Sequence, residues 1–221
     1  MLSDILPKNR KMTTKFTDKL DEFNVKYCFN EQDYELPKLK YIIVGDNPGK
    51  TEYKENKFFI GTSGQKLRKH FRINELINDF DIECAVFNKT FIHTIKTEEL
   101  QTIRREIGID FFDNIQIHCA KEISRIANDY DIPILIFGKS KIGTNLLFDS
   151  FWKAINEFTD KKENILVFNH PSYNHFFDEW DIYKRDLKIN SSKELLIEIG
   201  TINSQKIRLS NVKRQQKIEV V

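Results

Sequence analysis

Four short apolar runs rich in β-branched residues recur along the chain: KYIIVG (40–45), ECAVFN (83–88), IPILIFG (132–138) and NILVFN (164–169). Each is nearly continuous in its apolar residues and ends at Gly, Asn or a polar turn. That is how strands buried on both faces of a parallel sheet read. Around them, apolar residues fall at helical spacing. Phe16, Leu20 and Phe23 share one face of Thr13–Asn24, and Ser63–Phe71 forms a second helix. Phe112, Ile115, Cys119, Ile123 and Ile126 make a single stripe of Phe111–Asn128, and Lys141–Phe158 and Asn174–Leu187 follow. Strands alternating with helices predict βαβ units. The expected fold is therefore α/β, a three-layer α/β/α sandwich around a central, mostly parallel four-stranded sheet. Residues 1–190 are assigned to that domain. Residues 191–221 form a basic C-terminal extension, packed on the domain or trailing from it. SSKELLIEIG reads as a capped helix or a strand, and KIRLSNVKRQQKIEVV as charged β or a loose tail.

Length and composition narrow the class. A chain of 221 residues, 40% hydrophobic and 31% charged, is an ordinary single globular domain with a sizeable core. No apolar run approaches the roughly 18 residues of a membrane span, and the first residues lack a signal-peptide core. A cytoplasmic protein without membrane contact is expected. Cys28, Cys84 and Cys119 never form a CxxC pair, which argues against a disulfide framework and against zinc or iron–sulfur ligation. Five histidines and no carboxylate pair at ligand spacing make a catalytic metal an unpromising reading, so neither metal nor cofactor is expected. Net charge is only +2, but basic residues concentrate from Lys184 onward, where a tail could lie along phosphates.

Ligands of open α/β sheets bind outside the carboxyl ends of the strands. The residues there are GDNPGK (45–50), NKT (88–90), GKS (138–140) and NHPSY (169–173). Gly45 lets backbone pass close to a ligand, while Pro48 and Gly49 set a turn that holds Asp46 and Asn47 at the strand end. Downstream, KFFIGTSGQKLRKHF runs from an aromatic pair into Gly61-Thr62-Ser63-Gly64, where Thr62 or Ser63 can cap a helix. Phe58 and Phe59 serve either the core or the floor of a pocket for a flat ligand. A phosphate-binding P-loop is disfavoured, because GKSKIG lacks the upstream glycine spacing.

Taken together, these motifs resemble those of the uracil-DNA glycosylase superfamily, above all its thermophilic-type family 4 branch. That branch reads G-E-A-P-G, an acidic residue three on, then P-F-V-G-x-A-G. Here GDNPG is followed by Glu52, and FFIGTSG arrives with the same 16-residue offset between Gly45 and Gly61. Asn88, Gly138 and His170-Pro171-Ser172 follow in order, so the resemblance spans roughly residues 38–185. It implies a metal-independent DNA glycosylase that flips a base out of DNA and hydrolyses its N-glycosidic bond, with DNA containing uracil or another deaminated base as partner and a monomer as the acting form. By the same resemblance Phe59 stacks on the base and Asn88 hydrogen-bonds its Watson–Crick edge, close to Gly45. His170 stabilises charge on the departing base. Ser172 and nearby backbone amides hold phosphates in that resemblance, and Tyr173 or Asn174 lies where the family wedges the duplex. Gly61, Ser63, Lys89, Lys139, Ser140 and the basic tail are the further expected contacts to the DNA backbone.

The sequence also departs from the branch. Asp46 and Asn47 replace its Glu and Ala, the four cluster cysteines are absent, and FNKTFIHTIKT replaces an arginine- and proline-bearing stretch. Neighbouring residues at a strand end point to opposite sides, so one of Asp46 and Asn47 is expected to face the sugar. Asn47 is the favoured water-positioning residue. Asp46, if it faces inward, could act as general base, worth about 10²–10⁴-fold. The competing function is a non-catalytic DNA- or nucleotide-binding protein on the same fold.

Overall fold

The computed structural model describes residues 15–32 and 34–218, with backbone alone from 213 onward. Four strands, β1 (Tyr41–Gly45), β2 (Cys84–Asn88), β3 (Ile134–Phe137) and β4 (Ile165–Phe168), form one sheet. All pairs are parallel and the order is β2-β1-β3-β4. The chain winds to one side of β1 and then to the other. A crevice is therefore expected at the carboxyl ends of the strands where the winding reverses.

The helices, in chain order, are α1 (15–22), α2 (Lys50–Glu55), α3 (Thr62–Ile73), α4 (Phe80–Glu83), α5 (Leu100–Ile107), α6 (Ile109–Tyr130), α7 (Asp149–Phe158), α8 (His175–Leu187) and α9 (Ser192–Ile218). Strand alternation divides them into two layers. Ile42, Val44, Ala85, Ile134, Ile136, Ile165 and Val167 pack with apolar residues of α1, α5, α6 and α7. Ile43, Val86, Leu135, Phe137, Leu166 and Phe168 pack with α3, α4, α8 and α9. The molecule is thus an α/β protein with a wholly parallel sheet between two helical layers.

Several boundaries differ from the sequence reading. The helix expected from Lys141 starts only at Asp149. Gly143 (φ 127°) and Asn145 (φ 63°) sit in the left-handed region and break the helical path before it. Likewise Tyr173 and Asn174 are left-handed, so α8 begins at His175. Thr13 and Thr14, at the start of the first expected helix, lie outside the described residues. Helices α2, α4 and α5 were not legible. α2 buries no residue and so carries no apolar stripe, and α4 is a single turn capped by the Asp79 carboxylate.

From Ser192 to Ile218 the ambiguous C-terminal stretch is one long helix, and its first half belongs to the domain. Leu195, Leu196 and Ile199 of α9 are core residues. Gly200 allows the close approach: a Cβ there would lie 2.6 Å from the Leu166 Cβ. Asn203 Nδ2 donates to the Val167 carbonyl at 3.0 Å and Ser204 Oγ to the Ile165 carbonyl at 2.6 Å. Helix α9 thereby satisfies the outward carbonyls of the edge strand β4. On the opposite edge, Val86 N donates to the Tyr34 hydroxyl at 2.8 Å, and its carbonyl accepts from Asn30 Nδ2 at 3.0 Å. Both sheet edges are closed by side chains, which removes sites for unwanted strand pairing. The side chains of Lys213, Arg214 and Lys217, part of the basic tail, lie outside the described residues. Among the described residues no helix is long and apolar enough to cross a membrane.

The α9 contact makes a prediction. Gly200→Ala gains helix propensity of about 1 kcal/mol, but its methyl group meets β4, and overpacking costs about 1–3 kcal/mol. A net loss of stability is expected in urea unfolding. Gly61→Ala, whose Cβ would meet nothing within 4 Å, carries no overpacking and is expected to lose only what Ala costs at the N-cap of α3, about 0.5–1 kcal/mol.

Candidate active site

Beyond the carboxyl ends of the strands lies a cleft of about 280 Å³. Its walls include Gly45, Asp46, Asn47, Phe59, Gly61, Ser63, Asn88 and His170, together with Thr94 and Ile95. Eight of the expected site residues therefore come together. Gly45 pairs in register with Asn88. A Cβ on Gly45 would collide with Asn88 Oδ1 and lie 2.5 Å from the Phe59 ring. The position must be glycine for space, because the amide and the ring meet above it.

Phe59 adopts a left-handed backbone (φ 54°), unusual for a bulky residue. Three contacts hold it there. Its N–H donates to Glu52 Oε1, its carbonyl accepts from Arg68 Nε at 3.0 Å, and its backbone lies against Gly64, where a Cβ would not fit. Glu52 also accepts from Gly49 N at 2.6 Å through Oε2. One carboxylate thus ties the GDNPG turn to the aromatic ring. Burial pushes the Glu52 carboxyl above its ordinary value, against the two N–H donors. Asn88 is 5% exposed, and its Nδ2 has no hydrogen-bond partner. A buried unmatched donor costs about 1–3 kcal/mol. Asn88 also borders a second, largely apolar cavity of about 200 Å³ between Tyr34, Phe58 and Phe91.

Asp46 is 4% exposed and Lys89 is fully buried beside it, with Lys89 Nζ 2.6 Å from Asp46 Oδ1. Lys89 Nζ also donates to the Gly45 carbonyl at 3.3 Å and the Phe137 carbonyl at 2.5 Å, so all three ammonium protons have acceptors. Lys141 reaches Asp46 Oδ2 at 3.3 Å and Glu98 at 3.4 Å. Burial opposes ionisation of Asp46. Lys89 foremost, with Lys141, outweighs it and holds the carboxyl below its ordinary value.

Asn47 Nδ2 donates to Thr94 Oγ1 at 2.9 Å, to the Thr94 carbonyl at 3.3 Å and to the Pro48 carbonyl at 3.2 Å. Its carbonyl oxygen is the atom left to accept from a ligand or water. Asp46 and Asn47 both border the cleft, but Asp46 turns both oxygens onto lysines. They lie in a bend past the last strand residue, where two-residue alternation no longer applies.

His170 Nδ1 accepts from Ser172 N at 3.1 Å and lies 2.8 Å from Ser172 Oγ. The neutral ring therefore carries its proton on Nε2. Burial lowers the His170 pKa, with Asp46 opposing, which favours that neutral form. The preceding residue, Asn169, donates its N–H to Glu179 Oε2 at 3.2 Å, and Oε1 of the same carboxylate accepts from Lys139 and from Asn203 Nδ2. Tyr173 stands 89% exposed beyond this turn.

Two expected phosphate contacts change their role. Lys89 lies beneath Asp46 with no surface to offer. Lys139 is committed to Glu179 and to Asn203 Oδ1, 3.0 Å away. Ser140 is exposed, away from the cleft walls, and Ser172 is turned back onto His170. The sequence reading missed Thr94, Lys141 and Glu179. Thr94 lies in FNKTFIHTIKT, where only its departure from the family pattern had been legible. Among the described residues no group of three or more His, Cys, Asp or Glu side chains could hold a metal ion, and the three cysteines are free thiols. No protein-family model matches the chain, and no curated protein matches it in sequence.

The buried pair yields a stability prediction. Lys89→Met strands a buried carboxylate and is expected to cost about 3–5 kcal/mol. The double variant Asp46→Asn/Lys89→Met, which removes both charges, is expected to recover much of that loss in chemical denaturation. In the unaltered protein, the stability contributed by Asp46 is present above its unfolded pKa near 3.8. It is lost as pH falls through the lower folded value.

Proposed function

We propose that this chain is a metal-independent, cytoplasmic DNA glycosylase that acts as a monomer on uracil or another deaminated base flipped out of DNA. The observation that carries the reading is the buried Asn88 amide, its Nδ2 without a partner and its Oδ1 set beside the Phe59 ring above Gly45. An amide edge and an aromatic face at a cleft of this size are the two surfaces a flat pyrimidine needs. Stacking on such a ring is worth about 1–3 kcal/mol per base. In the present orientation Asn88 Oδ1 would accept from a ring N–H, and Nδ2 would donate to an exocyclic oxygen, the pattern uracil offers.

The other residues take roles that follow from their bonding. The neutral His170, with its proton on Nε2, is a donor for negative charge developing on the departing base. Asn47, its amide nitrogen occupied by Thr94, offers Oδ1 to orient the attacking water. An amide cannot take the proton at neutral pH, so this site orients water rather than deprotonating it. Asp46 is a poor base, because its carboxyl is held ionised and both oxygens face lysines. Its charge would still favour a cationic sugar in the transition state. The engagement of both Asp46 oxygens by lysines favours the second reading, a DNA- or nucleotide-binding protein without catalysis.

Purified protein incubated with oligonucleotides carrying uracil, hypoxanthine or xanthine, followed by alkaline strand scission, tests the enzyme. Release of one base is expected. His170→Ala should lower kcat by about 10²–10³-fold, and Asn47→Ala should lower kcat more than Asp46→Asn does. Intact binding with no release of any base would leave the second reading in place.

A further inference from the structure

With Lys89 buried beneath Asp46 and Lys139 paired with Glu179, the phosphates of a bound strand need other cations. Helix α3 carries four basic residues, Lys66, Arg68, Lys69 and Arg72, and no acidic one. Arg68 is spent on Asp81 and on the Phe59 carbonyl. The other three are exposed, and at spacings of three residues they lie along one side of the helix. Lys69 and Arg72 enter no ion pair among the described residues. Lys66 Nζ donates to Asn174 Oδ1 at 3.0 Å, which joins this crest to the turn that exposes Tyr173. The first turn of the same helix is a wall of the cleft. At about 1.5 Å per residue, Lys66 and Arg72 are roughly 9 Å apart along the axis.

We propose that the exposed crest of α3 is the track along which the DNA strand leaves the cleft, its phosphates received by Lys66, Lys69 and Arg72. Asp178 and Asp181 of α8 line the groove on one flank of the crest, and Asp79 lines the other. These carboxylates confine a polyanion to the crest itself. The proposal takes its ligand from the glycosylase reading but does not require the chemistry to occur.

The test is the salt dependence of binding to an undamaged single-stranded oligonucleotide, followed by fluorescence anisotropy. Each phosphate contact contributes about 0.7 to the slope of log K against log salt. The Lys66→Gln/Lys69→Gln/Arg72→Gln variant is expected to lose about 2 from that slope, and Lys69→Gln alone about 0.7. Lys121→Gln, in the helical layer on the other side of the sheet, should match the unaltered protein. All four proteins should unfold at similar denaturant concentrations, since the replaced groups are exposed. An unchanged slope in the triple variant, or no binding by the unaltered protein, overturns the track. A reduced slope without release of any base would keep the track and remove the enzyme, and release with an unchanged slope would do the reverse.

Discussion

The site hangs on one buried ion pair. Asp46 and Lys89 sit under the carboxyl ends of three strands, and Lys89 binds β1 through Gly45, β3 through Phe137, and the turn through Asp46. Its own backbone N–H donates to the Gly45 carbonyl at 3.0 Å. Taking two charges out of water is expensive unless each finds its partner and every remaining donor an acceptor. That condition is met here by backbone carbonyls that exist only when the strands are correctly aligned. The pair therefore rewards one register. Gly138, left-handed at φ 92°, leaves the space the Asp46 carboxylate occupies.

Around this anchor, two carboxylates hold the parts that bear chemistry. Glu52 spans from the GDNPG turn to the strained Phe59 backbone, and Glu179 from the His170 turn to the turn after β3 and to α9. Each accepts from separate segments of chain, so neither loop can shift alone. The unmatched Asn88 donor and the left-handed Phe59 are costs that such a framework can sustain. Rigid support gathered around local strain is a reasonable basis for reading the cleft as the working end of the molecule.

The strands were legible because burial on both faces leaves no polar position to blur the pattern. Helices α3, α6 and α8 were legible because they keep an apolar stripe against the sheet. α2 has no such stripe, and the 142–148 segment carries enough apolar residues to imitate a helix that Gly143 and Asn145 break. The site residues at strand ends could be located from topology alone. Their pairings could not. A lysine after Asn88 reads as a surface cation, since lysines are rarely buried without a partner, and nothing local shows that its partner lies 43 positions earlier. Thr94 was hidden for the same reason, because its importance depends on Asn47, 47 positions away.

Closure of the β4 edge has a consequence for how the chain reaches this state during synthesis. The carbonyl of Ile165 waits for a hydroxyl 39 positions further on, at Ser204. Until α9 leaves the ribosome, Leu166 and Phe168 have no cover from Leu195, Leu196 and Ile199, and the last strand stands open. The nascent sheet is thus an unfinished object whose protection arrives late. For that interval the growing chain carries an open strand edge beside uncovered apolar side chains, the combination most prone to pairing with a neighbouring chain, and faster emergence of α9 shortens it.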